Sequence, residues 1–134
     1  MSQIILGACS NEQKTVIPKD TILLQQGEKS GSLYVLASGT VSIMRGPVEV
    51  AEIFDPGSVF GETSVLLGSP HTATVKTKTE CVIYVLEDAA TFIQNNPKIT
   101  YEIATLLAKR LRKATDFIAD LNESARNAAN IWAW

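Results

Sequence analysis

The stretch FGETSVLLGSPHTATV, residues 60–75, carries the features on which our interpretation of the whole chain depends. Gly61 and an acidic residue precede one apolar helical turn, and a Ser-Pro loop then leads into a Thr-rich strand. The first amides of a helix have no intrahelical partner and favour a phosphate or carboxylate. Glycine also allows a ligand to approach the backbone closely. The stretch therefore indicates an anion site, and a capped surface helix followed by a strand is the alternative.

Two side chains in this stretch suit a ligand that carries hydroxyl groups as well as an anion. Glu62 is a poor neighbour for an anion unless it accepts hydrogen bonds from hydroxyl groups, such as those of a ribose. Thr72 can add a hydroxyl donor. These residue types predict a phosphate attached to a sugar better than they predict a bare anion.

The chain around this stretch, residues 15–86, has the pattern of an antiparallel β protein. Its segments are short, rich in Val, Ile and Thr, and separated by glycine. Ser38-Gly39, Gly46-Pro47 and Asp55-Pro56-Gly57 mark tight links and turns. Strands spaced by about ten residues favour a sandwich or barrel. The predicted strands include DTILLQ (20–25), LYVLAS (33–38), TVSIMR (40–45), VEVAEIF (48–54), HTATVKTKT (71–79) and CVIYVL (81–86).

The pattern becomes helical after Glu87. EDAATFIQNN predicts a short helix at about 88–95 that ends before Pro97. From Lys98 the chain has no Gly or Pro and is rich in Ala, Leu, Lys, Arg and Glu, which predicts a long helix at about 98–129. We expect one domain over residues 1–134, with the β structure at about 14–87.

The long helix carries apolar residues at alternating steps of four and three, which is a heptad seam. A helix packed on its own barrel would also have an apolar stripe, but one face of a small barrel rarely covers so long a helix. We therefore expect a homodimer. The predicted interface is Leu107, Leu111, Ala114, Ile118, Leu121 and Ala125, with Ala128 continuing the seam. Trp132 and Trp134 could serve a partner or fold back, and the sequence favours neither.

Composition limits the classes of partner and compartment. The formal net charge is −2 and the pI is about 5.4, so no broad attraction to nucleic acid or acidic lipid is expected. No apolar run approaches the roughly 20 residues that cross a bilayer. LGAC at 6–9 lacks the flanks of a secretory cleavage site. Cys9 and Cys81 are expected to be buried thiols in a reducing compartment, and we expect a cytoplasmic protein.

The ordered motifs resemble those of the cyclic-nucleotide-binding domain family, which is shared by catabolite-activator-type regulators, kinase regulatory subunits and gated channels. The resemblance covers about residues 16–121. It rests on Gly27 and Gly31 around the first loop, Gly39 after LYVLAS, DPGSVFGE, and the order of residues 60–75. It implies a mainly β fold with flanking helices: an antiparallel, eight-stranded, jelly-roll-like β-roll (a double-stranded β-helix) followed by a long C-terminal helix.

The same resemblance implies roles for individual residues. Gly61 and the neighbouring amides would meet a cyclic phosphate, Glu62 would accept the ribose 2′-hydroxyl, and Thr72 with the Ala73 amide would touch phosphate oxygens. The ligand-binding prediction is thus Gly61, Glu62, Thr63, Ser64, His71, Thr72 and Ala73. The implied function is binding of cAMP, cGMP or a related anion, with signalling through the long helix to a separate effector protein.

His71 departs from the family pattern, which has arginine at this position. Arginine has a permanent charge and a planar fork that grips two phosphate oxygens. Histidine is shorter and has an ordinary pKa of about 6.5. One lost charged hydrogen bond, at about 1.5–3 kcal/mol, weakens binding by roughly one to two orders of magnitude. Strand alternation places Lys76 and Lys78 on the other face, so they are not expected to replace the arginine.

Two interpretations of His71 stay open. In one, the imidazole protonates when an anion binds, which gives a weaker and pH-dependent site. In the other, His71 is an ordinary strand residue of a domain that has lost its ligand and serves as a dimerisation or protein-docking scaffold.

Other functional classes fit the sequence less well. A metal-dependent enzyme on a similar barrel needs two or three histidines with a carboxylate, and this chain has one histidine. We expect no enzymatic activity, no catalytic residue, no metal and no cofactor. Activator-type regulators add a helix-turn-helix after the long helix. The sequence ends at NIWAW, so no direct DNA binding is expected.

Overall fold

In the computed structural model, residues 3–121 are described. The predictions for Ala125, Ala128, Trp132 and Trp134 lie outside them. The chain divides into two units, Met1–Glu102 and Ile103–Trp134. The prediction of a single domain therefore stays a prediction.

The first unit contains two antiparallel four-stranded sheets between residues 13 and 86. One sheet has the order β1-β8-β3-β6 and the other has the order β2-β7-β4-β5. Because consecutive strands mostly belong to different sheets, the chain repeatedly crosses between the two, as a β-roll requires. The predicted β-roll fold is confirmed. The strands are β1 Gln13–Ile17, β2 Ile22–Leu24, β3 Leu33–Ser38, β4 Val41–Arg45, β5 Val48–Ile53, β6 Val59–Phe60, β7 Thr74–Thr77 and β8 Cys81–Leu86.

Helices precede, interrupt and follow the strands. Helix α2, Glu62–Leu67, separates β6 from β7, and α3, Ala89–Gln94, follows β8. Helix α1, Gln3–Ala8, was not predicted. Helix α4, Pro97–Leu121, begins one residue before the predicted start, since proline suits the first helical position, where no amide partner is needed.

The core of the first unit joins both sheets. Its buried cluster includes Leu36 and Ile83 from one sheet and Val41 and Val75 from the other. These residues come from alternating positions of Val-, Ile- and Leu-rich strands, which place every second side chain on the same face. Both cysteines are buried free thiols, as predicted. Burial is the main reason why the pKa of Cys9 is raised to about 11.

Gly39 fixes the turn between β3 and β4. Its φ is +98°, and a Cβ there would lie 2.5 Å from the Glu80 carbonyl oxygen and 2.9 Å from the Cys81 Cα. Both the backbone conformation and the close approach therefore require glycine. The link predicted at Ser38-Gly39 between two strands lies at this turn.

Helix α4 extends into the second unit, where much of its apolar surface is exposed. Leu111 is 56% exposed, Ile118 54% and Leu121 69%. Ala114 is also exposed, and Leu107 is partly buried. Dimerisation through these residues stays a prediction. No helix within residues 3–121 combines the length and apolarity needed to cross a membrane.

Candidate functional site

Gly61 lies at the N-terminus of helix α2, the first element of the candidate site. Gly61 has φ +89° and precedes the first helical residue, Glu62. The first i→i−4 bond runs from the Val65 amide to the Gly61 carbonyl, at 3.3 Å. The amides before Val65 therefore belong to the helical turn whose N–H groups have no intrahelical partner. The helix ends at Gly68, φ +65°, whose amide donates to the Ser64 carbonyl at 2.9 Å.

Helix α2 is attached to the loop that joins β2 to β3. The Ser64 hydroxyl, on a residue that is 6% exposed, accepts a hydrogen bond from the Ser30 amide at 3.1 Å. A Cβ added at Gly61 would lie 2.9 Å from the Ser32 carbonyl oxygen. The start of α2 thus packs directly against this loop, and only a glycine permits that approach.

The same loop is attached to His71. The His71 amide donates to the Glu28 carbonyl at 2.7 Å, and the Gly27 amide donates to the His71 carbonyl at 2.9 Å. Three residues further on, the Thr74 hydroxyl accepts a bond from the Gln26 amide at 3.0 Å. The loop at 25–32 therefore lies between α2 and the segment that contains His71.

The His71 imidazole differs from the His71 backbone in its bonding. The residue is only 6% exposed. Within residues 3–121 no hydrogen bond joins the imidazole to another group, and no side-chain nitrogen or oxygen there is both sealed from solvent and unpaired. The imidazole nitrogens therefore lie at the small opening through which His71 remains accessible.

The other predicted site residues lie at the start of α2 and beside His71. Glu62, Thr63 and Ala73 are partly buried, and Thr72 is exposed. The structure assigns the predicted residues to two segments, 61–64 and 71–73, that share one attachment loop. Ligand contact by these residues stays a prediction.

The strand predicted over residues 71–79 was too long. Strand β7 covers only Thr74–Thr77. His71 precedes it because its backbone bonds go to the loop residues Gly27 and Glu28 and not to the β4 ladder. Burial still alternates near the strand, with Val75 and Thr77 buried and Lys78 exposed.

Lys78 is held by carboxylates of strand β5. Its ammonium group forms an ion pair with Glu52 and another with Glu49, the latter at 3.2 Å. The hydrogen bond to Glu52, with that to Glu49, raises the Lys78 pKa. The bond from Ser42, with that from Lys78, lowers the Glu49 pKa. These exposed pairs engage Lys78, in agreement with the expectation that it does not replace an arginine.

Sequence reasoning missed Ser30 and Thr74, which attach the loop at 25–32. Each contributes through a bond to a residue more than 30 positions away, Ser64 and Gln26 respectively. The spacing of residues along the chain does not predict a bond between positions so far apart. The only signal was the pair of glycines, Gly27 and Gly31, in a polar loop.

Metal-binding clusters do not occur in the part of the chain that the structure describes. No group of three or more His, Cys, Asp or Glu side chains there could hold a metal ion.

Comparisons with known proteins agree on one family. The family model described as "Cyclic nucleotide-binding domain" matches residues 14–94. The chain is 34% identical over 128 residues to the "Cyclic AMP receptor protein" of Thermus thermophilus, a match that covers 90% of this chain and 59% of that protein. It is 29% identical over 126 residues to the "cAMP-dependent protein kinase regulatory subunit" of Candida albicans, covering 88% of this chain and 27% of that protein.

A solved structure has the same architecture. The crystal structure of the Thermus thermophilus catabolite activator protein aligns with a TM-score of 0.71 and 27% identity, covering 90% of this chain and 60% of that one. The chain thus spans about 60% of the Thermus proteins that it matches. The prediction of no direct DNA binding is not tested by these matches.

Proposed function

We propose that this chain is a non-enzymatic ligand-binding regulatory module, on the premise that it belongs to the cyclic nucleotide-binding domain family. The family model covers residues 14–94, well over half of the chain. The proposed ligand is cyclic AMP, cyclic GMP or a related anion.

The observation that carries the proposal is the His71 imidazole. It is nearly buried, its nitrogens lie at an opening, and the described protein gives it no hydrogen-bond partner. These nitrogens reach solvent and are bonded to no protein group, so they are available to a ligand. An anion at that opening supplies the partner and displaces no protein group.

The neighbouring groups suit a cyclic nucleotide. Gly61 and the first amides of α2 bind the cyclic phosphate, as do the Thr72 hydroxyl and the Ala73 amide. Glu62 accepts the ribose 2′-hydroxyl. Thr63 belongs to the same helical turn, and Ser64 contributes by bonding that turn to the loop at 25–32.

The affinity is lower than an arginine would give. A neutral imidazole donates one hydrogen bond to the phosphate, whereas a guanidinium donates two with a full charge. A protonated imidazole carries the charge that a phosphate favours, so affinity should be higher at the lower pH.

The proposed output passes through helix α4 to a separate effector protein in the cytoplasm, and the chain forms a homodimer along that helix. Exposed apolar side chains on α4, including Phe117 at 62% and Leu121 at 69%, support an interface there. The same exposure supports the second candidate, a ligandless dimerisation or docking scaffold.

Calorimetric titration with cyclic AMP and cyclic GMP, at about pH 5.8 and about pH 7.5 on either side of the ordinary histidine pKa, tests the proposal. The wild type should bind more tightly at the lower pH. His71→Arg should bind roughly ten- to a hundredfold more tightly at the higher pH, because it regains a charged hydrogen bond.

Gln13→Arg is the matched control, since it adds the same charge at an exposed position on β1, the sheet edge opposite β6. It should leave the affinity unchanged. If the wild type gives no binding heat with either nucleotide and His71→Arg binds, the site has kept its shape and lost its ligand. If neither binds at millimolar nucleotide, the scaffold becomes the better proposal.

A further inference from the structure

The hydroxyl of Ser64 is engaged within the fold. It accepts the Ser30 amide at 3.1 Å, across 34 positions of sequence, and Ser64 is 6% exposed. A hydroxyl that is buried and already bonded to the backbone is better placed to fix the position of α2 than to touch a ligand.

The loop bonded to Ser64 is fixed at its other end by His71. Gly27 and Glu28 exchange two backbone hydrogen bonds with His71, at 2.9 and 2.7 Å. The Glu28 amide also donates to the Gln25 carbonyl at 3.1 Å, and Gly27 has φ +90°, so a tight turn presents these groups to His71.

The two attachments are close together along the chain. Glu28 is bonded to His71 and Ser30 to Ser64, and two peptide steps span at most about 7 Å. A segment this short cannot absorb a large relative movement of α2 and His71. The two halves of the anion site are thereby linked through the loop at 27–32, which we call the tether loop.

We propose that Ser64 is a positioning residue: through the tether loop it holds the start of helix α2 and His71 in one geometry. The inference rests on the proposed function, because it concerns how the two halves of that site are held for one ligand. Loss of the Ser64 hydroxyl loosens the attachment of His71 as well as that of Ser30.

Residue-resolved amide hydrogen exchange on the protein without nucleotide tests the linkage directly. In Ser64→Ala, exchange at Ser30, Gly27 and His71 should accelerate by about threefold to tenfold, the equivalent of one neutral hydrogen bond. Ser64→Thr keeps a hydroxyl and should restore slow exchange at all three amides.

Ser58→Ala is the matched control. Ser58 is also 6% exposed, and its hydroxyl donates to the Asp55 carbonyl at 2.7 Å, outside the tether loop. It should leave the three amides unchanged. The inference is overturned if Ser64→Ala changes Ser30 alone, or if Ser58→Ala has the same effect as Ser64→Ala.

Titration of the same variants with cyclic AMP separates this inference from the proposed function. Ser64→Ala should weaken binding by about threefold to tenfold, and Ser64→Thr should restore it. If the wild type binds and Ser64→Ala binds equally well, the positioning role fails while the proposed function stands. If the wild type does not bind, the proposed function fails and the exchange data alone decide whether Ser64 holds His71.

Discussion

The two ends of residues 71–77 bond to the chain on either side of β2, but they use their side chains differently. At the far end, Thr77 is fully buried, and its hydroxyl accepts the Thr21 amide at 2.8 Å and donates to the Pro18 carbonyl at 2.7 Å. At the near end, His71 is almost as buried, yet only its backbone is bonded, to Gly27 and Glu28.

The fold uses the side-chain hydrogen bonds of Thr77, whereas it uses none from the side chain of His71. The hydroxyl of Thr77 has a partner for its proton and a donor for its oxygen, and it is fully buried, so it is used by the fold and closed to a ligand. The imidazole of His71 keeps its donor and acceptor. A buried polar side chain whose capacity the fold does not use is a reason to expect a ligand there.

The largest effect is expected from Thr77→Val, which keeps the shape and removes the hydroxyl. The Thr21 amide loses its partner in a part-buried site, so the free energy of unfolding should fall by about 2 kcal/mol. Urea denaturation with an unchanged m value would measure it.

Thr79→Val provides the exposed counterpart. The Thr79 hydroxyl also accepts an amide, from Thr40 at 3.0 Å, and also donates to a carbonyl, that of Glu80 at 3.0 Å. Water can replace both partners there, so the loss should stay below about 1 kcal/mol. Equal losses at Thr77 and Thr79 would mean that burial does not decide how much these hydroxyl bonds stabilise the fold.

Local patterns predicted much of the framework around these two ends. Glycine positions marked the turn at Gly39 and the start of α2 at Gly61, because both need a positive φ beside a close backbone approach. The Val-, Ile- and Leu-rich segments LYVLAS and CVIYVL identified β3 and β8. The switch to residues 98–121 without Gly or Pro identified α4.

Other features depend on pairing that a local pattern does not contain. Strand β6 has only two residues, Val59 and Phe60, and is a strand because they pair with Val35 and Tyr34. His71 left the predicted strand because its partners lie more than 40 positions away in the tether loop. The link between the two halves of the site follows from such bonds and could not be read from residues 60–75 alone.

An intermediate effect is expected from Thr74→Val, between the two ends. The Thr74 hydroxyl accepts the Gln26 amide at 3.0 Å and the Gln25 side-chain amide at 3.3 Å, and both bonds are exposed. The free energy of unfolding should fall by about 0.5–1 kcal/mol, measured in the same urea series. If Thr74→Val lowers the free energy of unfolding as much as Thr77→Val does, the fold depends on side-chain bonds beside the site as well. Stability would then not increase from His71 to Thr77.

The smallest effect on stability is expected from His71→Leu. The described fold gives the imidazole no partner, so an apolar side chain of similar size should change the free energy of unfolding by less than about 1 kcal/mol. The same variant should bind cyclic nucleotide about threefold to tenfold more weakly by calorimetry, since leucine offers no donor to a phosphate. A substitution that preserves stability and weakens binding is what a side chain kept for a ligand predicts. If His71→Leu instead destabilises the protein as much as Thr77→Val, the imidazole belongs to the fold, and the contrast between the two ends disappears.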